Sequence, residues 1–184
     1  MGYLPLLDNT TGLLPPGRYA ADLQMLKSIF VSGPGFAGST TRAELWNEWE
    51  NHRSTVEAMT GNIARIWIAG SFISSTLNPQ DIDVTYLIPP DAYDQMDSET
   101  VDFLDQLTDR AWCVSHDMRI DSYALRLPDE MEFWTITPSL LTPESSQAFR
   151  DIGLYDEIWQ RTRANSHGPG YAGKLRRGYV EVQL

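Results

Sequence analysis

The residues of this chain best equipped for chemistry are a pair of carboxylates and a Gly-Ser dipeptide just upstream of them. Asp81 and Asp83 stand two apart in Asp81-Ile82-Asp83-Val84. On an extended strand such residues leave the same face, while Ile82 and Val84 point to the opposite one and anchor the strand in a core. The two carboxylates are then about 7 Å apart along the strand. At that spacing they can share Mg²⁺ or Mn²⁺ ions, and two such ions can stabilise both the attacking and the leaving oxygens of an in-line phosphoryl displacement. Gly70-Ser71 follows the apolar run Ile66-Trp67-Ile68-Ala69. A glycine there lets the backbone approach a phosphate closely, and the following amides with the Ser71 hydroxyl can donate hydrogen bonds to it.

These groups need two strands and a turn to bring them together. Residues 63–69 read as one strand and 81–88 as a second with strict alternation, ended by Pro89-Pro90. Elsewhere the pattern predicts an extended lead-in over 1–17, a helix over 18–31 with Tyr19, Leu23, Leu26 and Phe30 on one face, and a long helix from Ser39 or Thr40 to about Thr60. An acidic helix is expected over 91–110, strands over 117–127 and 130–137, a helix over 144–163 broken near Gly153, and a last strand over 179–182. The basic, Gly-rich segment 164–177 is expected to be mobile. Helices and strands alternate with no linker, so the expected fold is one α+β (mixed α/β) domain over 1–184, a small mixed sheet flanked by helices.

The ordered set, Ile68-Ala69-Gly70-Ser71, nine residues, then Asp81-Ile82-Asp83-Val84, resembles the signature of the polymerase-β-like nucleotidyltransferase superfamily. Leu14-Pro15-Pro16-Gly17, the helix expected after it, the Gly70-Ser71-Phe72-Ile73 turn and the strand Pro79-Gln80-Asp81-Ile82-Asp83 are similar to small nucleotidyltransferase-like proteins of bacteria and their phages, over about residues 13–90. The resemblance implies a third carboxylate on a later strand. Asp121, 38 residues beyond Asp83 in Met118-Arg119-Ile120-Asp121-Ser122, is the best match, ahead of Glu130 and Glu132. It implies a Mg²⁺- or Mn²⁺-dependent enzyme that moves an NMP group from an NTP to a hydroxyl of a protein side chain, an RNA end or a small molecule. In such an enzyme Gly70 and Ser71 would bind the nucleotide, and Asp81, Asp83 and Asp121 would be the metal-binding and catalytic residues. A toxin or phage-defence role is implied by the same likeness.

One feature departs from the active pattern: no Lys or Arg lies between Phe72 and Gln80, where many active members carry a cation for the triphosphate. Arg161, Arg163, Lys174, Arg176 and Arg177 could compensate from the C-terminal end if the fold brings them round. The alternative is a catalytically inactive protein on the same fold, an acidic inhibitor or nucleic-acid mimic for a basic protein partner.

Composition narrows the classes further. The chain has 184 residues, 14 Lys+Arg against 25 Asp+Glu, and a net charge of −11. Residues 81–132 hold 14 acidic and 3 basic side chains and so carry the whole excess. Such a field opposes broad binding to DNA, which needs surplus cations. No apolar run reaches membrane-spanning length, and the uncharged N-terminal side chains do not read as a secretory signal. The single cysteine, Cys113, excludes an internal disulfide and reads as a buried core thiol. The three histidines show no ligand spacing, and Trp46 and Trp49 read as core. A soluble cytoplasmic protein is expected.

Overall fold

The computed structural model describes residues 4–132, 134, 136–162 and 175–184. Five strands form one mixed sheet: β1 (Gly17–Ala21), β2 (Arg65–Ala69), β3 (Ile82–Ile88), β4 (Ile120–Arg126) and β5 (Gly178–Gln183). Their order across the sheet is β1-β5-β2-β3-β4. β1 and β5 run parallel, β5 and β2 antiparallel, β2 and β3 antiparallel, and β3 and β4 parallel. The helices are α1 (Leu23–Phe30), α2 (Arg42–Thr60), α3 (Pro90–Asp94), α4 (Ser98–Thr108), α5 (Arg110–Ser115) and α6 (Pro143–Trp159). The expected mixed sheet flanked by helices is therefore present. Among the described residues, no helix is long and apolar enough to cross a membrane.

The two faces of β3 separate core from site. All seven residues of β3 are buried, as its central position requires. On one face Ile82, Val84 and Tyr86 join Ile66, Ile68, Val180 and Val182 in the main core. α2 covers this face with Leu45, Trp46, Trp49 and Val56, and α4 adds Leu104 and Leu107. At about 25 cal/mol per Å² of apolar surface buried, side chains of this size are the main source of stability. On the other face Asp83 and Thr85 look toward α6, whose Trp159 donates from Nε1 to Thr85 Oγ1 at 2.9 Å. Tyr123 on β4 packs edge-on against Trp159, with ring centroids 5.8 Å apart.

Four expectations change. Residues 18–31 are not one helix. Gly17–Ala21 form β1, and Asp22 caps α1 by accepting from the Met25 amide at 2.7 Å. Tyr19 and Ala21 alternate inward there, and pairing with β5, 161 residues away in register, overrides the local helical spacing. The acidic helix is three helices, because the Asp97 and Asp109 side chains cap α4 and α5. The described residues of 130–137 form no strand; β4 is the sheet's edge, and Trp134 is 76% exposed. α6 runs unbroken through Gly153. Of the segment 164–177 expected to be mobile, residues 164–174 lie outside the described residues, as do Arg163 and the expectation attached to it.

Beneath α2 and α4 lies a buried polar cluster. His52 Nε2 is 2.8 Å from the Leu107 carbonyl and Nδ1 is 2.7 Å from the Tyr86 hydroxyl. A carbonyl can only accept, so Nε2 carries the proton and Nδ1 accepts from Tyr86. Cys113 Sγ and Ser122 Oγ also donate to Leu107 O, at 3.1 and 2.9 Å. Cys113 is buried, as expected, and burial pushes its thiol up to about 11. Burial holds the His52 imidazole below its ordinary pKa, so the unfolded chain binds this proton more readily than the folded one. By linkage, the stabilisation from neutral His52 is complete above about pH 6.5 and declines as pH falls from there toward the depressed folded value. Urea denaturation at pH 7.5, 6.5 and 5.5 should show that decline in the wild type. His52→Gln should be less stable at pH 7.5 and lack the decline across this window. Equal slopes for both proteins would refute the assignment.

Candidate functional site

The β2–β3 connection is much longer than an antiparallel pair requires, and it builds the site. Gly70 ends β2 with φ +76°, a left-handed conformation that L side chains rarely adopt. A Cβ there would also sit 1.6 Å from Asp83 Oδ2. The glycine is thus required twice, by its backbone and by the carboxylate that occupies its side-chain space. Asp83 pairs in register with Ala69 on one side and with Asp121 on the other. The two carboxylates therefore leave neighbouring parallel strands on the same face, beside the Gly70 turn. Asp83 is buried and Asp121 half-buried.

The loop after Ser71 is shaped from behind by Arg42. This guanidinium is 1% exposed. Its Nη1 donates to Phe30 O at 2.8 Å and Phe72 O at 2.6 Å, and its Nη2 to Ser74 O at 3.0 Å and Thr76 O at 2.6 Å. The Phe36 ring lies against it, 3.8 Å from centroid to Cζ. Burial brings its pKa down to about 10, so it remains charged at neutral pH. The Ser74 hydroxyl donates to Ser71 O at 2.7 Å, and the Ser75 amide donates to Gly12 O at 2.8 Å, which ties the N-terminal segment to the loop.

All five residues singled out in the sequence border one cavity of about 480 Å³: Gly70, Ser71, Asp81, Asp83 and Asp121. The volume is that of an ordinary small-molecule site. Tyr123 and Trp159 add an aromatic wall, and Arg161 and Arg177 line the cavity as well. Glu130 and Glu132 do not line it. Neither Arg119 nor Arg126 is directed at Asp121: Arg119 pairs with Glu48 and Glu44, and Arg126 with Asp94 and Asp129.

The fit to a divalent cation is good in chemistry and incomplete in geometry. Carboxylate oxygens suit Mg²⁺ and Mn²⁺. Among the described residues, however, no group of three or more His, Cys, Asp or Glu stands together as a ready ligand set. Asp81 is engaged elsewhere, by Arg110 Nη2 at 3.0 Å. The Arg110 guanidinium is held above its usual pKa, first by that hydrogen bond and also by the charges of Asp121 and Asp83. What faces the cavity as an in-register pair is Asp83 and Asp121. Mg²⁺ is commonly held by one or two carboxylates with substrate phosphates completing the shell, and this pair fits that description.

Sequence reasoning missed Arg42, Arg110 and Trp159. Arg42 had a usable signal: it shares the buried face of α2 with Leu45, Trp46 and Trp49 at helical spacing, and a charge on an apolar stripe must find buried partners. Arg110 and Trp159 had none, since their roles depend on where α5 and α6 pack.

The chain belongs to a family of unknown function, DUF6932, whose model matches residues 5–183. Comparison with curated proteins and with solved structures finds no match.

Two substitutions test this construction. Gly70→Ala should lower the unfolding free energy by about 1–3 kcal/mol, because the left-handed backbone and the Asp83 position both resist a methyl group. Arg42→Ala leaves four carbonyls without their donor, three of them in buried hydrogen bonds, and should cost about 3 kcal/mol or more. Arg42→Lys, which keeps the charge without the planar fork, should fall between wild type and Ala. Denaturant unfolding curves give all three values, and an unchanged midpoint for Arg42→Ala would contradict the latch.

Proposed function

We propose that the chain is a divalent-cation-dependent nucleotidyltransferase that moves an NMP group from an NTP to a hydroxyl acceptor. The observation that carries the reading is the in-register pair Asp83 and Asp121, set against the Gly70 turn in a cavity that Ser71 and Asp81 also line. Asp83 and Asp121 would hold Mg²⁺ or Mn²⁺, with Asp81 joining once released from Arg110. The bound cation would neutralise phosphate charge and act as a Lewis acid. Ser71 and the loop after it would orient the phosphates. The acceptor oxygen bonds to the α-phosphorus, the bond from that phosphorus to the bridging oxygen breaks, and pyrophosphate leaves. The hydroxyl proton would pass to Asp121, the less buried of the two carboxylates. A protein side chain or small molecule suits the acidic surface better than a long nucleic acid.

The binding-protein alternative has less support. Five of the fourteen acidic side chains in 81–132 are engaged by partners within the chain. Asp97 and Asp109 cap helices, Asp94 and Asp129 flank Arg126, and Asp81 pairs with Arg110. That leaves fewer uncommitted carboxylates for a basic partner than composition suggests.

Thermal unfolding with Mn²⁺, and with Mn²⁺ plus each NTP, tests the transferase reading, because a ligand that binds only the folded state must raise Tm. Wild type should respond to both additions. Asp83→Asn/Asp121→Asn should lose both responses, since the carboxylates that would hold the cation are gone. Arg110→Ala, which frees Asp81, should strengthen the Mn²⁺ response. Equal responses in wild type and the double variant would overturn the metal site and return weight to the acidic binding protein.

A further inference from the structure

We propose that Tyr123 is the platform on which the base of the nucleotide stacks. The nucleotide itself rests on the transferase reading; the place of its base rests on the order in which the chemistry of the cavity is laid out. That order follows the sheet, β2-β3-β4. Between β2 and β3 the loop presents Ser71, Ser74, Ser75 and Thr76 to the cavity, polar side chains that suit phosphate oxygens. Asp83 on β3 and Asp121 on β4 come next, in register. Tyr123 stands two residues beyond Asp121 on β4, so it leaves the same face about 7 Å further along the strand. It borders the same cavity, which Trp159 also lines. A ligand that spans the cavity therefore meets hydroxyls, then carboxylates suited to a cation, then an aromatic ring. A metal-bound nucleotide carries its groups in the same order: phosphates, the cation on them and, beyond one sugar, a planar base.

The ring is braced before any ligand arrives. Its centroid is 4.7 Å from that of Tyr155 and 5.8 Å from that of Trp159, with the planes inclined at 54° and 62°. Trp159 is itself fixed by its Nε1 hydrogen bond to Thr85 Oγ1 at 2.9 Å. The two members of this cluster that line the cavity differ in exposure. Trp159 is 5% exposed and serves as support, whereas Tyr123 is half-buried and keeps part of its surface on the cavity. An aromatic side chain held by its neighbours loses little freedom when a ligand settles on it, so the gain from stacking is not spent on ordering the protein. Every base has a π-face, and stacking it on an aromatic ring is a contact that neither phosphate nor sugar can make. Burial first, and then the neighbouring Asp121, Tyr155 and Asp83, hold the Tyr123 hydroxyl above its ordinary pKa. It stays neutral and adds no charge beside the carboxylate pair.

The test is calorimetric titration of the full chain, in Mn²⁺, with each NTP and with ribose 5-triphosphate, which keeps the sugar and phosphates and lacks the base. Wild type should bind at least one NTP about ten- to a hundredfold more tightly than ribose 5-triphosphate, the size of one base–aromatic stack. Tyr123→Leu should lose most of that margin and bind ribose 5-triphosphate as wild type does. Tyr123→Phe, which keeps the ring, should hold the NTP within about threefold of wild type. Thermal melts without ligand establish that each variant is folded, and the comparison of the two ligands on wild type needs no variant. NTP binding no tighter than ribose 5-triphosphate in wild type overturns the base site and leaves the transferase reading standing. NTP binding by Tyr123→Leu equal to wild type does the same. Equal weakening of both ligands in a folded Tyr123→Leu, or equal losses in the Leu and Phe variants, overturns stacking as the role of the ring. Wild type that binds neither ligand overturns the base site and the transferase reading together.

Discussion

Arg42 carries a positive charge into a place from which water is excluded, and the loop that borders the cavity takes its shape from how that charge is satisfied. An unpaired buried charge would cost far more than any single contact returns. The carbonyls of Phe72, Ser74 and Thr76 therefore turn inward, joined by Phe30 from the end of α1. Alternate carbonyls of one loop are pinned to a single rigid group, which leaves the segment little conformational freedom. The N-terminal segment is then fixed against the loop through Gly12 and Ser75. The loop, anchored at its ends by β2 and β3, gains a further support from the helix behind it.

The Gly70–Asp83 contact is the complementary constraint at the front. β3 is central, so Asp83 leaves a strand that is paired on both sides and cannot shift register without moving Ile82 and Val84 out of the core. The carboxylate must then lie where a Cβ of residue 70 would be. Backbone conformation, core packing and carboxylate position are coupled at this point, and the site is as rigid as the sheet.

Charge is distributed with the same economy. The acidic stretch 81–132 looks in composition like a surface field, yet several of its members cap helices or pair with Arg110 and Arg126. Around the cavity the signs are separated: carboxylates sit on β3 and β4, and arginines sit where α6 meets the start of β5. Glu157 binds Arg161 and Arg176 together, and these arginines hold its own carboxyl down to about 2.

The β2–turn–β3 unit was legible in the sequence because its signals are local: period-two alternation, a glycine at a sharp turn and carboxylates two apart. Those same signals gave Gly70, Ser71, Asp81 and Asp83, and the resemblance added Asp121. β1 was not legible. Its five residues lack a decisive pattern of their own, and they are a strand only because β5, from the far end of the chain, runs beside them. The strand expected over 130–137 failed for the converse reason, since its alternation has no neighbour to pair with in the described residues. Arg42 and Arg110 acquire their partners from segments far from them in sequence. Spacing along a strand fixes which side chains share a face, but a charge finds its partner through space, and only the packing of the whole chain determines which partner that is.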